Sequence, residues 1–164
     1  MSAQVWDVGS EAGFLACYRA TFAEVYRYTA MLCGSDRAAA EDIVQDVYLT
    51  ALTKARSGSL PTITIGYLVV AARHRFLDRM RSQRREQRRM ELVSTALDDE
   101  PVRYALPGHL TDLPDRERAA LVLRFVDDLT IAQVGEQMGI SVRAAESLLA
   151  RASRRLRHQE VRDA

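Results

Sequence analysis

Apolar residues recur every three or four positions along most of the chain, which is the spacing of amphipathic helices. The first such run follows Ser10 and continues to Met31, and it is unusually rich in Phe and Tyr. The second runs from Ala38 to Lys54 and carries two neighbouring apolar rows. We predict that both helices pack into one bundle, with the aromatic side chains of the first in the core rather than in a ligand site.

The segment from Ile63 to Val70 is rich in β-branched residues and, taken alone, is typical of a strand. The sequence offers no second strand to pair with it, and an unpaired strand is not stable. We therefore predict one long helix from Ile65 to about Arg89, preceded by a loop over Arg56–Thr62.

The last third of the chain carries start and stop signals for three short helices. Pro114 suits the first turn of one helix, and Thr130 with Gln133 forms a capping box for the next. Gly139 suits the end of that helix, and Ser141 suits the N-cap of the third. This pattern predicts a helix-turn-helix motif with a basic recognition helix. The residues predicted to face its core are Ala119, Leu121, Val122, Phe125, Ile131, Val134, Met138, Leu148, Leu149 and Leu156.

Residues 91–111 show little periodicity and contain acids, two prolines and a glycine. This composition predicts a flexible acidic linker with a helical turn around Val102–Leu106. The predicted fold is all-α, with an N-terminal helical bundle over residues 10–90 and a C-terminal helix-turn-helix domain over residues 112–160.

The charges are nearly balanced in number but segregated along the chain. The 164 residues include 23 Lys and Arg and 22 Asp and Glu. Arginines dominate from Ala71 to Met90, whereas acids dominate from Glu91 to Glu117. Blocks of opposite sign indicate separate surfaces for different partners.

The sequence carries none of the usual signs of an enzyme or a membrane protein. Cys17 and Cys33 form no CxxC motif and are predicted to be buried free thiols, and the three histidines are scattered. Phosphate-binding loops and nucleophile elbows are absent from the sequence. No apolar run approaches the roughly 18 residues of a membrane span, and the first residues lack the features of a signal peptide. We expect a cytoplasmic, non-enzymatic protein with no metal, no cofactor and no membrane insertion.

Three blocks, in order and in register from Phe14 to Arg157, resemble one family. The sequence AAAEDIVQDVYLTAL is similar to an "AED-x-VQ-E-x-F" helix, and GYLVVAARHRFLDRMRSQRR is similar to a "WLYRIARNRAIDYLRRRR" helix. Both belong to region two of bacterial RNA polymerase sigma factors, in particular the extracytoplasmic-function (ECF) group, and the helix-turn-helix resembles their region four. The resemblance implies a protein that binds core RNA polymerase and directs promoter recognition, opening of the −10 element and transcription initiation.

In this family the first block docks on the coiled-coil of the polymerase β′ subunit. The resemblance implies that Asp42, Gln45 and Asp46 make this contact, with Tyr48 and Leu52 alongside. Carboxylates and an amide on one helix face can form charge-assisted hydrogen bonds with a basic helical partner. The alternative is an acidic face that only meets solvent.

The second block is implied to hold the −10 element while its bases leave the stack. The candidate DNA-binding residues are Arg73, Arg75, Arg79, Arg81 and Arg84 for phosphates, Ser57, Ser59 and Thr62 for a base pocket in the loop, and Tyr67 and His74 beside them. Tyr67, His74 and Val70 replace the Trp, Asn and Arg that are common in the family. How the −10 sequence is read is therefore expected to differ.

The third block is implied to read the −35 element in the major groove. The candidates are Arg143, Ala144, Glu146 and Ser147 for base edges, and Arg151, Arg154 and Arg155 for phosphates. Glu146 and Leu148 stand where the family often has basic residues, so we expect weak binding at −35 that depends on the polymerase. The resemblance also implies contact with the polymerase β flap and control by an anti-sigma factor.

A second hypothesis remains open from the sequence. The helix-turn-helix could belong to a stand-alone regulator of the LuxR-like kind, whose front half dimerises or senses a signal. Such a regulator would bind duplex DNA by itself, as a dimer on half-sites one turn apart. A sigma factor would instead depend on core polymerase.

Overall fold

The computed structural model describes residues 4–90 and 108–163, and most of these residues are helical. The elements before the gap are β1 (Val5–Asp7), α1 (Glu11–Cys33), α2 (Arg37–Arg56), β2 (Thr62–Thr64) and α3 (Ile65–Met90). The elements after it are α4 (Gly108–Thr111), α5 (Asp115–Leu121), a π-helix (Val122–Val126), α6 (Ile131–Met138) and α7 (Val142–Asp163). The predicted linker and its helical turn lie almost entirely outside the described residues. An all-α protein was predicted, and the fold confirms it apart from one small sheet.

Backbone contacts divide the chain into two units. The first unit comprises Met1–Thr29 and Arg37–Asp98, and the second comprises Ala30–Asp36 and Asp99–Ala164. Among the helices described in either unit, none is long and apolar enough to cross a membrane.

In the first unit, α2 supplies the centre of the core. Ile43, Val47 and Ala51 are buried on one row of this helix, and Val44 and Tyr48 are buried on the next. Both rows follow the 3.6-residue period of a helix, so α2 is buried along two adjacent faces. The helix α3 packs against α2, and its buried residues include Leu68, Ala72 and Leu77.

The prediction that the β-branched segment has no partner strand is wrong. Three residues at its start form β2, which pairs antiparallel with β1, so that Trp6 lies opposite Ile63. Ile63 is buried, and the pairing is extended by a hydrogen bond of 2.9 Å from Val8 N–H to the Pro61 oxygen. A three-residue strand has too little alternation to be recognised by pattern. The helix that follows begins at Ile65, as predicted.

The prediction that the aromatic side chains of α1 are core residues is also wrong in part. Ser10 starts this helix as predicted, accepting a 3.1 Å hydrogen bond from Gly13 N–H. However, the buried side of α1 is formed by smaller residues such as Cys17, Thr21 and Val25. Tyr18, Phe22 and the partly exposed Phe14 and Tyr26 lie instead along the edge of α1 that faces α2.

The helix-turn-helix of the second unit has the predicted helix caps. Thr130 and Gln133 form both hydrogen bonds of a capping box, and Gly139 ends α6 with a left-handed φ of 64°. Ser141 caps α7 by accepting a 3.2 Å hydrogen bond from Ala144 N–H. Gly135 is buried in this motif, and an added Cβ there would lie 3.0 Å from the Ile140 oxygen. A side chain at this position would therefore require the turn to shift by a few tenths of an ångström.

One predicted core residue of the second unit is exposed. Phe125 is 69% exposed, although the helical spacing placed it beside the buried Leu121 and Val122. The reason is the π-helix, in which Asp127 N–H bonds to the Val122 oxygen five residues back. The wider turn rotates the residues within it away from the positions of a regular α-helix. Ile131 and Leu156, also predicted to face the core, are only partly buried.

Candidate functional site

The exposed side of α2 presents two neighbouring rows of residues. Asp42 and Asp46 form one row, which faces α3, and Glu41, Gln45 and Leu49 form the other, which borders α1. Each row repeats every four residues, so each follows one edge of the helix. The residues predicted to bind polymerase are thus divided between two edges of α2, with Asp42 and Asp46 on one and Gln45, Tyr48 and Leu52 on the other.

The acidic edge of α2 is paired with α3. Asp46 Oδ2 lies 3.0 Å from Arg75 Nε, and the same guanidinium donates a 3.1 Å hydrogen bond to the Thr50 hydroxyl. Asp42 Oδ2 lies 3.8 Å from Arg79 Nη1. All four charged side chains remain substantially exposed, so each pair is worth about 1 kcal/mol or less. These contacts join carboxylates predicted to bind polymerase to arginines predicted to bind the promoter.

The other exposed edge of α2 borders a groove of about 520 Å³ between α1 and α2. We call it the aromatic groove because four aromatic residues of α1 line it. Its lining residues are Phe14, Tyr18, Phe22, Tyr26, Glu41, Val44, Gln45, Tyr48, Leu49 and Leu52. Gln45, Tyr48 and Leu52 are therefore brought together in this groove, as part of one open, largely apolar surface.

The floor of the aromatic groove is fixed by a buried hydroxyl pair. Tyr48 OH and Thr21 Oγ1 lie 2.7 Å apart, and the Thr21 hydroxyl also donates to the Cys17 oxygen at 2.7 Å. Burial raises the pKa of Tyr48 to about 12, and the hydrogen bond with Thr21 offsets part of that rise. Burial likewise raises the pKa of the Cys17 thiol. Both groups are thus held in their neutral forms, which suits a structural role in the floor.

The predicted base-pocket residues lie on an exposed loop and the short sheet. The hydroxyls of Ser57 and Ser59 lie 2.9 Å apart, and the loop turns at Gly58 with a left-handed φ of 73°. Thr62 is exposed in β2. Lys54 Nζ donates to the Tyr67 hydroxyl at 3.4 Å, and it is the only lysine in the sequence. Lys54 thus adds a positive charge beside the predicted base pocket, and the sequence analysis did not include it.

The predicted phosphate-binding arginines are spread around α3. Arg81 and Arg84 follow the paired Arg75 and Arg79 along the helix and are exposed. Arg73 is partly buried. Arg81 also lies 2.9 Å from Asp78 one turn earlier. His74 is exposed. A basic helix with this distribution can present charge to DNA along its length rather than at one point.

The residues predicted to read the −35 element are all exposed on α7. Arg143, Ala144, Glu146 and Ser147 occupy its first turns, and Arg151 and Arg154 follow them. Arg155 differs, because its Nε lies 3.0 Å from Glu117 Oε2, and the Glu117 side chain is only 7% exposed. This guanidinium is engaged with α5 within the second unit.

A second apolar groove, of about 410 Å³, lies in the second unit beside the π-helix. We call it the π-helix groove. Its lining residues are Leu110, Leu121, Val122, Phe125, Val126, Ser153, Leu156 and Arg157. Phe125 and Val126 are large, exposed apolar residues. An isolated apolar surface of this kind is typical of a protein-binding site.

Comparison with protein families matches both units. The family model described as sigma-70 region 2 matches residues 15–86, and the model described as sigma-70, region 4 matches residues 110–158. The first match includes α2 and most of α3, and the second includes α6 and most of α7.

Two curated relatives align over most of the chain. The ECF RNA polymerase sigma factor SigK of Mycolicibacterium vanbaalenii is 31% identical over 170 residues, covering 94% of this chain and 84% of the relative. The ECF RNA polymerase sigma factor SigM of Bacillus subtilis is 26% identical over 149 residues, covering 85% of this chain and 90% of the relative.

Two further comparisons concern a partial match and a solved structure. The RNA polymerase sigma factor SigF of Mycobacterium tuberculosis is 45% identical over 67 residues, and that alignment spans only 26% of the relative. The sigma factor RpoE of Bartonella quintana, solved in complex with the anti-sigma factor NepR, has a TM-score of 0.50 at 22% identity. The alignment covers 88% of this chain and 94% of that one, so the two proteins share a fold.

Besides Lys54, sequence reasoning missed two features of the surfaces of the first unit. The aromatic groove had a signal in Tyr18, Phe22 and Tyr26, which recur every four residues, but this spacing is equally typical of a core. The contact of Arg75 with Asp46 had no usable signal, since the two residues are 29 positions apart on helices whose crossing the sequence does not specify. No pattern of residue types predicts which arginine of α3 meets which acid of α2.

Proposed function

The chain belongs to the ECF group of bacterial RNA polymerase sigma factors, and we propose that it binds core polymerase and directs promoter recognition, −10 opening and transcription initiation. The observation that carries this proposal is an exposed acidic helix edge beside an arginine-rich helix in one unit. A stand-alone regulator of the LuxR-like kind needs no such pair of surfaces. Family membership favours the sigma factor over that alternative.

The proposed polymerase contact is α2. Asp42, Gln45 and Asp46 are exposed, and they would accept charge-assisted hydrogen bonds from basic side chains of the β′ coiled-coil. Tyr48 and Leu52 would add apolar contact from the aromatic groove. We assign this role to residues 10–90 as the region-2-like domain.

The proposed −10 contact is α3 with the loop before it. The arginines would hold phosphates, while the hydroxyls of Ser57 and Ser59 would receive a base turned out of the stack. Tyr67 is partly buried beside Lys54, which suits stacking of a base near a positive charge. His74 is exposed on α3 and would reach a base or a phosphate.

The proposed −35 contact is the start of α7, in the domain we assign to residues 112–160. Arg143 would reach base edges in the major groove, and Glu146 would accept a hydrogen bond from a cytosine amino group. The negative charge of Glu146 also repels phosphate, so this contact is weak without polymerase. The π-helix groove, with Phe125 exposed at its side, would receive the polymerase β flap.

An anti-sigma factor is the proposed regulator. The RpoE protein of similar fold was solved in complex with an anti-sigma factor. A partner of that kind would cover exposed surfaces of this chain. The proposed regulator is a separate molecule that would cover α2, the helix proposed to contact polymerase.

Run-off transcription with purified core polymerase tests the proposed function. We expect a promoter-specific transcript only when the protein is added, together with a measurable affinity of the protein for core enzyme. Electrophoretic mobility of promoter duplex with the protein alone is the companion measurement. Tight, dimeric binding to duplex DNA combined with no affinity for core polymerase would support the stand-alone regulator instead.

A further inference from the structure

We propose that the first strand of the chain is a positioning element for opening of the −10 element, because it holds in place the loop that would receive a base. We call residues 5–13 the N-terminal brace, which consists of β1, the turn after it and the start of α1. Its positioning residues are Trp6, Asp7 and Gly13, which act through the loop and not on DNA. The inference rests on the proposed function and adds a second element to the −10 site.

The first argument is that the brace is joined to the part of the loop that leads into α3. In the antiparallel pair, residues 5–7 of the brace lie opposite residues 62–64. Val8 N–H continues this pairing by donating to the Pro61 oxygen at 2.9 Å. The backbone of the brace therefore holds the loop from Pro61 to the residue before α3 begins.

The second argument is that the proposed pocket residues are divided between two separately held parts of the loop. Ser59 N–H and Leu60 N–H both donate to the Lys54 oxygen near the end of α2, at 3.0 and 3.2 Å. This contact holds the part that carries the Ser57 and Ser59 hydroxyls. Thr62 lies in the part that is paired with the brace. The separation of those hydroxyls from Thr62 is thus set by α2 on one side and by the brace on the other.

The third argument is that the brace is itself held by the first unit. Val8 is buried and Trp6 is partly buried. The Asp7 carboxylate accepts a 2.9 Å hydrogen bond from Gly9 N–H, which turns the chain towards α1. An added Cβ at Gly13 would overlap the Asp7 backbone oxygen, so the strand lies directly against the first turn of α1. A sheet of two strands is marginal by itself, and this packing supports it.

Release of the brace should weaken capture of the base without affecting the proposed polymerase contact. Residues 61–64 would then be an extended segment that becomes ordered only on binding. Fixing the backbone of one residue in a single conformation changes an equilibrium by about tenfold. We therefore expect a released brace to weaken opening of the −10 element at least roughly tenfold.

Two variants loosen the brace and leave every residue proposed to contact DNA or polymerase in place. Gly13→Ala forces the Asp7 oxygen away from α1, and Trp6→Ser removes a partly buried indole. Ala16→Ser is the matched control, because it also adds one heavy atom to α1 but at an exposed position one turn later. Circular dichroism and the melting temperature establish that each variant is folded.

Trp6 is the only tryptophan in the sequence, so its fluorescence reports the state of the brace directly. The emission of Gly13→Ala should shift to longer wavelength, because the indole becomes more exposed, and that of Ala16→Ser should not shift. Opening is then measured with core polymerase on a promoter that the wild-type protein transcribes, as permanganate reactivity of the −10 thymines. Gly13→Ala and Trp6→Ser should bind core polymerase with wild-type affinity but open the promoter less, whereas Ala16→Ser should open it fully.

Abasic sites placed one at a time in the −10 element separate positioning from a general loss of stability. In complexes with the wild-type protein and core polymerase, an abasic site at the captured position should weaken binding of a single-stranded −10 oligonucleotide. The same abasic site should cost much less in complexes with Gly13→Ala, because the pocket that would receive the base is already displaced. Such non-additivity is the mark of two changes that act on one contact.

Two results would overturn the inference and leave the proposed function standing. Equal abasic penalties with the wild type and with both brace variants would make the brace a stabilising element only. Full promoter opening by Gly13→Ala with a shifted Trp6 emission would show that the loop needs no brace. Should the emission of Gly13→Ala stay unshifted, full opening by Trp6→Ser decides the same point. A wild-type protein that neither binds core polymerase nor opens any promoter would instead contradict the proposed function itself.

Discussion

Asp46 and Arg75 form an ion pair between α2 and α3, with 3.0 Å between Oδ2 and Nε. The carboxylate is a predicted polymerase contact, and the guanidinium is a predicted promoter contact. Each group is thus the partner of the other in the isolated protein. Because both side chains are about half exposed, the pair contributes about 1 kcal/mol or less and can open when a stronger partner arrives.

Reversal of Asp42 and Asp46 to Lys should abolish binding to core polymerase. The two lysines would repel a basic partner, and they would also lie near Arg75 and Arg79. The affected pairs are exposed, so the free energy of unfolding should fall by only about 1–2 kcal/mol. Fluorescence anisotropy with labelled protein measures the affinity, and urea denaturation measures the stability. Glu24→Lys, at an exposed acid of α1, is the charge-matched control for each single reversal.

A charge swap distinguishes binding from structure at this pair. The double variant Asp46→Arg/Arg75→Asp restores an ion pair with inverted polarity, so its stability should return towards that of the wild type. Its polymerase affinity should stay low, since the partner still meets the wrong charge at position 46. Recovery of affinity along with stability would mean that Asp46 acts only by holding α3.

The sequence predicted which helix edge is acidic but not what that edge contacts. The four-residue spacing of Asp42 and Asp46 shows that they share one side of α2, and both are exposed as expected. Their partners on α3 depend on how the two helices cross, which is decided by packing of buried residues such as Ile43 and Leu68. Spacing within one helix carries no information about that crossing.

The stability of the first unit should fall as the pH rises from about 10 towards 12. Burial raises the pKa of Tyr48 from 10.0 to about 12, so the unfolded chain loses this proton before the folded protein does. The contribution of Tyr48 is therefore fully present below pH 10 and is lost on the approach to pH 12. The free energy of unfolding of Tyr48→Phe should therefore fall less than that of the wild type, by up to roughly 3 kcal/mol at pH 12.

Denaturation in urea at several pH values between 8 and 12 measures this difference. An equal slope for the wild type and Tyr48→Phe would show that the Tyr48 hydroxyl does not control stability at high pH.

Two glycine-to-alanine substitutions should change stability in opposite directions. Alanine is the better helix former, and at Gly66 of α3 an added Cβ would meet only the Thr64 hydroxyl at 3.8 Å. Gly66→Ala should therefore raise the free energy of unfolding by up to about 1 kcal/mol. At Gly135 the added Cβ would lie 3.0 Å from the Ile140 backbone oxygen, so the backbone of the turn would have to shift by a few tenths of an ångström.

Gly135→Ala should accordingly lower the free energy of unfolding by about 1–3 kcal/mol, as overpacking does elsewhere. Thermal and urea unfolding followed by circular dichroism measure both variants. A stabilising Gly135→Ala would show that the helix-turn-helix backbone adapts to the extra methyl group, and that this glycine is not required by the turn.

The second unit shows where local sequence signals suffice and where they do not. The capping box at Thr130 and the left-handed Gly139 were predicted, because each depends on residues within four positions of itself. The exposure of Phe125 was not, because the regular 3.6-residue period fails in the π-helix. A run of apolar residues gives no sign that one turn is wider than the rest.

Arg155 should contribute more to folding than to promoter binding. Its guanidinium lies 3.0 Å from the carboxylate of Glu117, whose side chain is almost fully buried. Arg155→Ala would leave that charge uncompensated and should lower the free energy of unfolding by about 1–3 kcal/mol.

Arg151→Ala, at an exposed position of the same helix, should leave stability unchanged and weaken transcription from a promoter that depends on its −35 element. Glu117→Gln combined with Arg155→Ala should restore part of the lost stability, because a neutral amide is less costly to bury than a carboxylate. Urea denaturation and run-off transcription on the same variants separate the two roles. If Arg155→Ala kept its stability but lost −35-dependent transcription as Arg151→Ala does, Arg155 would be a DNA contact, and its pairing with Glu117 would be incidental to folding.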